Sequence, residues 1–136
     1  MPFINVIVSG SPDAALSAKI ASAIARLTTE HLGKDPAVTA VAISYIAPEH
    51  WFAGGQSIAA AGIASYWLDI KVTDATNTKD EIEAYIAAVF AGMSQLLGGV
   101  HEESYALVDA VPAAAYGFGG KTQEHRFIAG RLAAAA

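Results

Sequence analysis

Tyr66-Trp67-Leu68-Asp69-Ile70-Lys71-Val72 alternates as a half-buried strand should, and it stands at mid-chain. It opens a second pass through a pattern that the chain has already run once. In the first pass, Phe3-Ile4-Asn5-Val6-Ile7-Val8 is a short β-rich run, and Ser9-Gly10-Ser11-Pro12-Asp13 signals a turn and a helix start. Leu16, Ile20, Ala23, Ile24, Leu27 and Leu32 recur at helical spacing, giving one apolar stripe. Gly33-Lys34-Asp35-Pro36 ends that helix, since glycine accepts the left-handed cap and proline blocks continuation. Val38 to Ile46 reads as a second strand, followed by His50-Trp51-Phe52-Ala53-Gly54-Gly55.

The second pass matches it piece by piece. Thr78 and Glu81 have the spacing of a capping box, and Ile82, Tyr85, Ile86, Val89, Phe90, Met93 and Leu97 form the next stripe. Gly98-Gly99 stops that helix, Ser104 to Val111 is the returning strand, and Ala115-Tyr116-Gly117-Phe118-Gly119-Gly120 follows. The Gly-Gly pairs at 54–55 and 119–120 lie 65 positions apart, close to half of the 136 residues. The chain is therefore read as an α+β (α/β) protein with a tandem βαβ duplication. Each unit has parallel strands and a right-handed crossover, and the whole forms a four-stranded sheet with two helices on one face. One domain, 1–136, is expected, with halves at about 2–64 and 65–123 and a tail at 124–136. The uncovered sheet face is expected to be apolar, built of Ile4, Val6 and Val8 or their neighbours, and self-association is the natural way to cover it.

Composition narrows the function classes. The chain is 54% hydrophobic and 15% charged, which suits one packed core and argues against disorder. The net charge of -5, with only eight Lys and Arg, argues against a nucleic-acid surface. Alanine-rich runs such as Ile58–Ala64 are too short to span a bilayer, and the start lacks a signal-peptide pattern, so the expected setting is the cytoplasm, away from the membrane. With no cysteine and four scattered histidines, neither disulfide nor metal site is expected. No phosphate loop or dinucleotide fingerprint is present, so no cofactor is expected. The closing Arg131-Leu132-Ala133-Ala134-Ala135-Ala136 is assigned no function.

Pro2 is the residue with unusual chemical potential. If Met1 is cleaved, the chain begins with a secondary amine held at a strand end, and such a nitrogen serves as a base near neutral pH. Ordinary α-amino groups have pKa values of about 7.7–8.0. An apolar pocket and a neighbouring cation both disfavour the charged form.

Taken together, Pro2, the duplicated βαβ order and the Gly-Gly segments resemble the tautomerase superfamily, from Pro2 to about Gln123. The stretch Ala47-Pro48-Glu49-His50-Trp51-Phe52-Ala53-Gly54-Gly55 is similar to the His-Phe-Gly-Ile-Gly-Gly stretch of 4-oxalocrotonate tautomerase, with Trp51 at the family's active-site phenylalanine. Gly33-Lys34-Asp35-Pro36 resembles the Gly-Lys-Pro-Pro turn of the macrophage migration inhibitory factor branch. The resemblance implies a fused, trimeric protein and a cofactor-independent keto–enol tautomerase of a small 2-oxo acid. It makes Pro2 base and then acid, Lys34 the carboxylate anchor, and Trp51, Phe52 and Tyr105 the pocket wall, with Tyr105 matching a tyrosine that lines the pocket from a neighbouring subunit and donating to the oxyanion.

The family's dicarboxylate-binding arginines are absent: the matching stretches read Gly10-Ser11-Pro12 and Thr39-Ala40-Val41. A monocarboxylate is therefore expected, with one site per chain, because the first strand of the second half is internal. Several residues carry a plainer reading as well. Lys34 suits a solvated helix end, Trp51 and Phe52 suit interface packing, and Tyr105 suits an ordinary strand tyrosine. Lys71 is expected to pair with Asp69, Tyr116 and Phe118 to belong to subunit packing, and Arg126 to be a surface arginine. Two alternatives stand beside the tautomerase: a proline-dependent hydratase, dehalogenase or decarboxylase, and a non-catalytic trimeric binding protein.

Overall fold

A computed structural model describes residues 1–136. The first unit runs β1 (Phe3–Ser9), α1 (Ala14–Leu32) and β2 (Ala40–Ile46), then a small hairpin of β3 (Phe52–Ala53) and β4 (Gln56–Ser57) and one helical turn, α2 (Ile58–Ala61). The second runs β5 (Tyr66–Thr73), α3 (Lys79–Leu97) and β6 (Tyr105–Val111), a matching hairpin of β7 (Gly117–Phe118) and β8 (Lys121–Thr122), and α4 (Gln123–Ala135). The sheet order is β2-β1-β5-β6. β1 pairs parallel with β2 and β5 parallel with β6, as βαβ units require, while the two units meet through an antiparallel β1–β5 pairing.

Local chemistry fixes the helix ends. The Asp13 carboxylate accepts from the Leu16 N–H to start α1, and Gly33, at φ 66°, closes it in the left-handed conformation that only glycine adopts freely. Thr78 and Glu81 form the expected reciprocal capping box at α3. β2 begins later than the sequence suggests. Asp35 caps a 3₁₀ turn over Pro36–Val38, which takes up the residues before Ala40. The other clear departure is α4. Thr122 accepts from the His125 N–H and so starts a 13-residue helix where the sequence shows no apolar stripe. α4 packs on the Ala113–Ala115 turn but leaves Phe127, Ile128 and Leu132 largely exposed.

Both long helices lie on one face and pack on each other. Beneath them Ile4, Val6 and Val8 of β1 and Tyr66, Leu68, Ile70 and Val72 of β5 are sealed from solvent, together with Ile20, Ile24, Tyr85, Val89 and Met93 from the helices. At the centre of the helix pair, the Thr28 hydroxyl donates to the Ile24 carbonyl, so the Tyr85 hydroxyl donates to Thr28 Oγ1 at 2.9 Å.

The expectation for the open face is corrected. Ile4, Val6 and Val8 belong to the covered face, and their neighbours make an open face of mixed character. Register sets Phe3 beside Lys71 and Asp109, Asn5 beside Asp69 and Leu107, and Ile7 beside Trp67 and Tyr105. At its middle the Asp69 carboxylate accepts from Lys71 Nζ (2.7 Å), Trp67 Nε1 (2.8 Å) and Asn5 Nδ2 (3.2 Å). Burial works to raise the Asp69 pKa, but these donors and the Lys71 charge outweigh it and hold the carboxyl below its usual range. No helix is long and apolar enough to cross a membrane.

Candidate active site

Pro2 is buried at the start of β1, and its carbonyl accepts from the Ala40 N–H at the start of β2. Above it opens a cavity of about 610 Å³, lined by Met1, Pro2 and Phe3, by the Ala37–Ala40 segment, and by Tyr116, Gly117 and Phe118. Its walls are mostly apolar, and Thr39 and Tyr116 are the only polar side chains among them.

The topology explains why the second unit supplies one wall. Because β5 runs antiparallel to β1, its last residues lie beside the start of β1, with Lys71 opposite Phe3. β6 runs parallel to β5 and ends on the same side, so the hairpin after β6 falls over Pro2. Tyr116 is tied directly to the amino terminus. Its hydroxyl accepts from the Phe3 N–H at 2.9 Å and donates to the Met1 carbonyl at 2.7 Å. Tyr116 and Phe118, expected to belong to subunit packing, line this cavity within one chain. The reading of Arg126 as a surface arginine is corrected. From α4 its guanidinium lies 3.8 Å from the centre of the Phe118 ring and donates to the Phe118 carbonyl at 3.0 Å, bracing the hairpin from behind.

Lys34 follows the αL cap of α1 and donates to Thr76 Oγ1 at 2.9 Å, which holds its ammonium near the cavity without lining it. Burial, more than the opposing Glu81 charge, lowers the Lys34 pKa. The Met1 amino group is also held below the ordinary α-amino value, first by burial and then by the Lys34 charge, with Asp35 opposing. Lys71 forms the expected ion pair with Asp69 at 2.7 Å, on the open face beside Phe3.

Trp51, Phe52 and Tyr105 are not brought to Pro2 within the chain. The β3–β4 hairpin follows the far end of β2, where Ile46 pairs with Ser9, and Phe52 is 64% exposed there. Tyr105 lies opposite Trp67 at the same far end, with ring centroids 6.2 Å apart, and is 55% exposed. That is four residues, about 13 Å along the strand, from the Asp109–Lys71–Phe3 row. The physical reason is the antiparallel junction of the two units, which gives each hairpin to the other unit's strand start. Applying the 65-residue offset to Trp51 finds Tyr116, and this was the signal in the sequence that could have located it. At the far end, β5 is entered through internal amides, with the Ser65 N–H donating to Ser9 Oγ at 2.9 Å, so no amine stands there. No three His, Asp or Glu side chains converge as a metal site.

Comparison with known proteins agrees with this architecture. The family model described as tautomerase enzyme matches residues 2–61, the first βαβ unit with its hairpin. No curated protein sequence matches the chain. Among solved structures, a fused 4-OT wild-type symmetric trimer is similar with TM-score 0.79 at 17% identity, covering 91% of this chain and 98% of that one. Pt0534 inactivated by 2-oxo-3-pentynoate has TM-score 0.78 at 15% identity, covering 90% and 96%. Leishmania major MIF2 has TM-score 0.74 at 20% identity, covering 90% and 97%. The first unit thus matches the tautomerase family model, and the whole chain has the fold of these fused structures of two βαβ units.

Proposed function

We propose that the chain, once Met1 is removed, is a cofactor-independent keto–enol tautomerase of small 2-oxo acids, with the Pro2 nitrogen as base and then acid. The observation that carries this reading is a buried Pro2 at the floor of an apolar cavity, beside a cation. The neutral amine takes the proton from the enol oxygen and leaves an enolate. The Pro2 ammonium then protonates carbon, the C=C electron pair forms the new C–H bond, and the carbonyl is restored. Burial and the Lys34 charge, which lower the pKa of the Met1 amine here, are expected to favour a neutral Pro2 amine in the same way, and Lys34 is the cation available to a substrate carboxylate. The apolar walls, with Lys71 already paired to Asp69, favour a monocarboxylate with an apolar or aromatic side chain. The reading also draws support from Pt0534, which an acetylenic 2-oxo acid inactivates. A homotrimer in the cytoplasm is proposed with it, the fused 4-OT relative being a trimer. Trp51, Phe52 and Tyr105 are proposed to act in a neighbouring subunit's pocket.

The test is ketonisation of phenylpyruvate enol by the processed chain, with no added cofactor. Turnover above the uncatalysed rate supports the reading, and its absence over a panel of 2-oxo acid enols refutes it. Lys34→Gln supplies a pH signature. A base works in its neutral form, so kcat/KM rises with pH through the amine pKa. The lysine charge depresses that pKa, and its removal should shift the acid limb of the profile to higher pH while raising KM. An unmoved limb would show that Lys34 does not act on the amine.

A further inference from the structure

The Tyr116 hydroxyl is the one side-chain donor on the cavity wall aimed at the amino terminus. Its oxygen is held by the Phe3 N–H at 2.9 Å, so its own proton is directed away from Phe3, and it goes to the Met1 carbonyl oxygen at 2.7 Å. That oxygen sits on the carbon bonded to the Pro2 nitrogen. Removing Met1 takes away the acceptor while Phe3, Tyr116 and the hairpin stay. Two further contacts keep the hydroxyl in place: the β7–β8 pairing of Gly117 with Thr122, and the Arg126 guanidinium on Phe118. The freed hydroxyl proton is then left pointing to the side on which the Pro2 nitrogen lost its acyl group.

We infer that in the processed chain the Tyr116 hydroxyl donates its hydrogen bond to the substrate oxygen that carries the enol proton, which sits at hydrogen-bond distance from the Pro2 nitrogen on the side where the Met1 carbonyl oxygen lies here. The inference rests on the proposed tautomerase reading and assigns the oxyanion donor within that site. As Pro2 draws the proton from the enol O–H, the bonding pair stays on oxygen, and the phenol stabilises the charge that develops there. The phenol keeps its own proton throughout, so the step needs no co-reactant. Burial raises the Tyr116 pKa, the Phe3 hydrogen bond and the Lys71 charge opposing, which keeps it a donor at neutral pH. Within the chain Tyr105 stands at the other end of the strand, so the donor that one chain offers to its own Pro2 is Tyr116.

The experiment compares wild type, Tyr116→Phe and site-specifically fluorinated Tyr116, each confirmed by mass to begin at Pro2. In phenylpyruvate enol ketonisation, Tyr116→Phe should lower kcat about 10²-fold, the cost of one oxyanion donor, with KM little changed. The acid limb set by the amine should stay in place. Fluorinated Tyr116 keeps the ring and its packing but changes phenol acidity, so kcat should track that acidity, which a packing role would not produce. An active wild type with unchanged kcat in Tyr116→Phe, or with kcat indifferent to fluorination, overturns the inference and leaves the tautomerase reading intact. A wild type inactive on every enol overturns both.

Discussion

Pro2→Ala in the processed chain should lower kcat/KM for enol ketonisation by about 10²-fold, the lower end of what a positioned general base contributes. The variant still ends in an amine, so the loss reports geometry and basicity together. In Pro2 the ring fixes the nitrogen at the floor of the cavity, whereas an alanine amine rotates freely about its N–Cα bond. The Ala40 N–H still finds the residue 2 carbonyl, so β1 and β2 stay paired and the fold is kept. Equal rates for the two proteins would remove Pro2 from the reaction.

Gly117→Ala is expected to have an effect of similar size from a residue that carries no functional group. A Cβ at this position would be driven into the Lys121 carbonyl, with the Thr122 Cα only 2.8 Å away. Those neighbours are backbone and cannot swing aside, so the β7–β8 hairpin must open. Overpacking of this kind costs typically 1–3 kcal/mol. Because the hairpin lies at the edge of the fold, the sheet and both long helices should persist. Tyr116 and Phe118 flank the glycine and would move off Pro2 together. A displacement on the order of 1 Å at a reacting centre can cost about 10²-fold in rate. The predicted outcome is thus a large loss of kcat/KM with an unchanged far-ultraviolet circular dichroism spectrum. Full activity would show that the hairpin's position is irrelevant to the site.

Much of the fold was legible because it is written in periodicities and caps. The two apolar stripes, the glycine stops and the Thr78–Glu81 box determine helices and strands through short-range chemistry, and the structure has them where the pattern sets them. A period of two shows that the faces differ but not which one meets the helices, and the open face expected to be apolar also carries Asn5, Asp69, Lys71 and Asp109. Ile4, Val6 and Val8 went beneath α1, which left Asn5 and Ile7 outward beside Asp69 and Trp67. α4 was missed because its start depends on one side-chain bond from Thr122 and its body carries little amphipathic signal.

The candidate site was legible in part. Pro2 stood out by its chemistry and Lys34 by its turn, and the lysine's charge acts on the Met1 amine, one residue before Pro2. The aromatic wall that the chain itself supplies comes from the second hairpin, not the first. Trp51 matches a motif, but contact depends on how two units join, and local sequence does not encode that junction. The antiparallel β1–β5 pairing carries Tyr116 and Phe118 to Pro2 and leaves Trp51 and Phe52 at the opposite end.

The most direct test of the central claim is the intact mass and amino-terminal sequence of the protein purified from its own host. A chain lighter by one methionine residue, beginning Pro2-Phe3-Ile4, is the predicted result. A chain that keeps Met1 holds the Pro2 nitrogen as an amide without a basic lone pair, and that result would contradict the account.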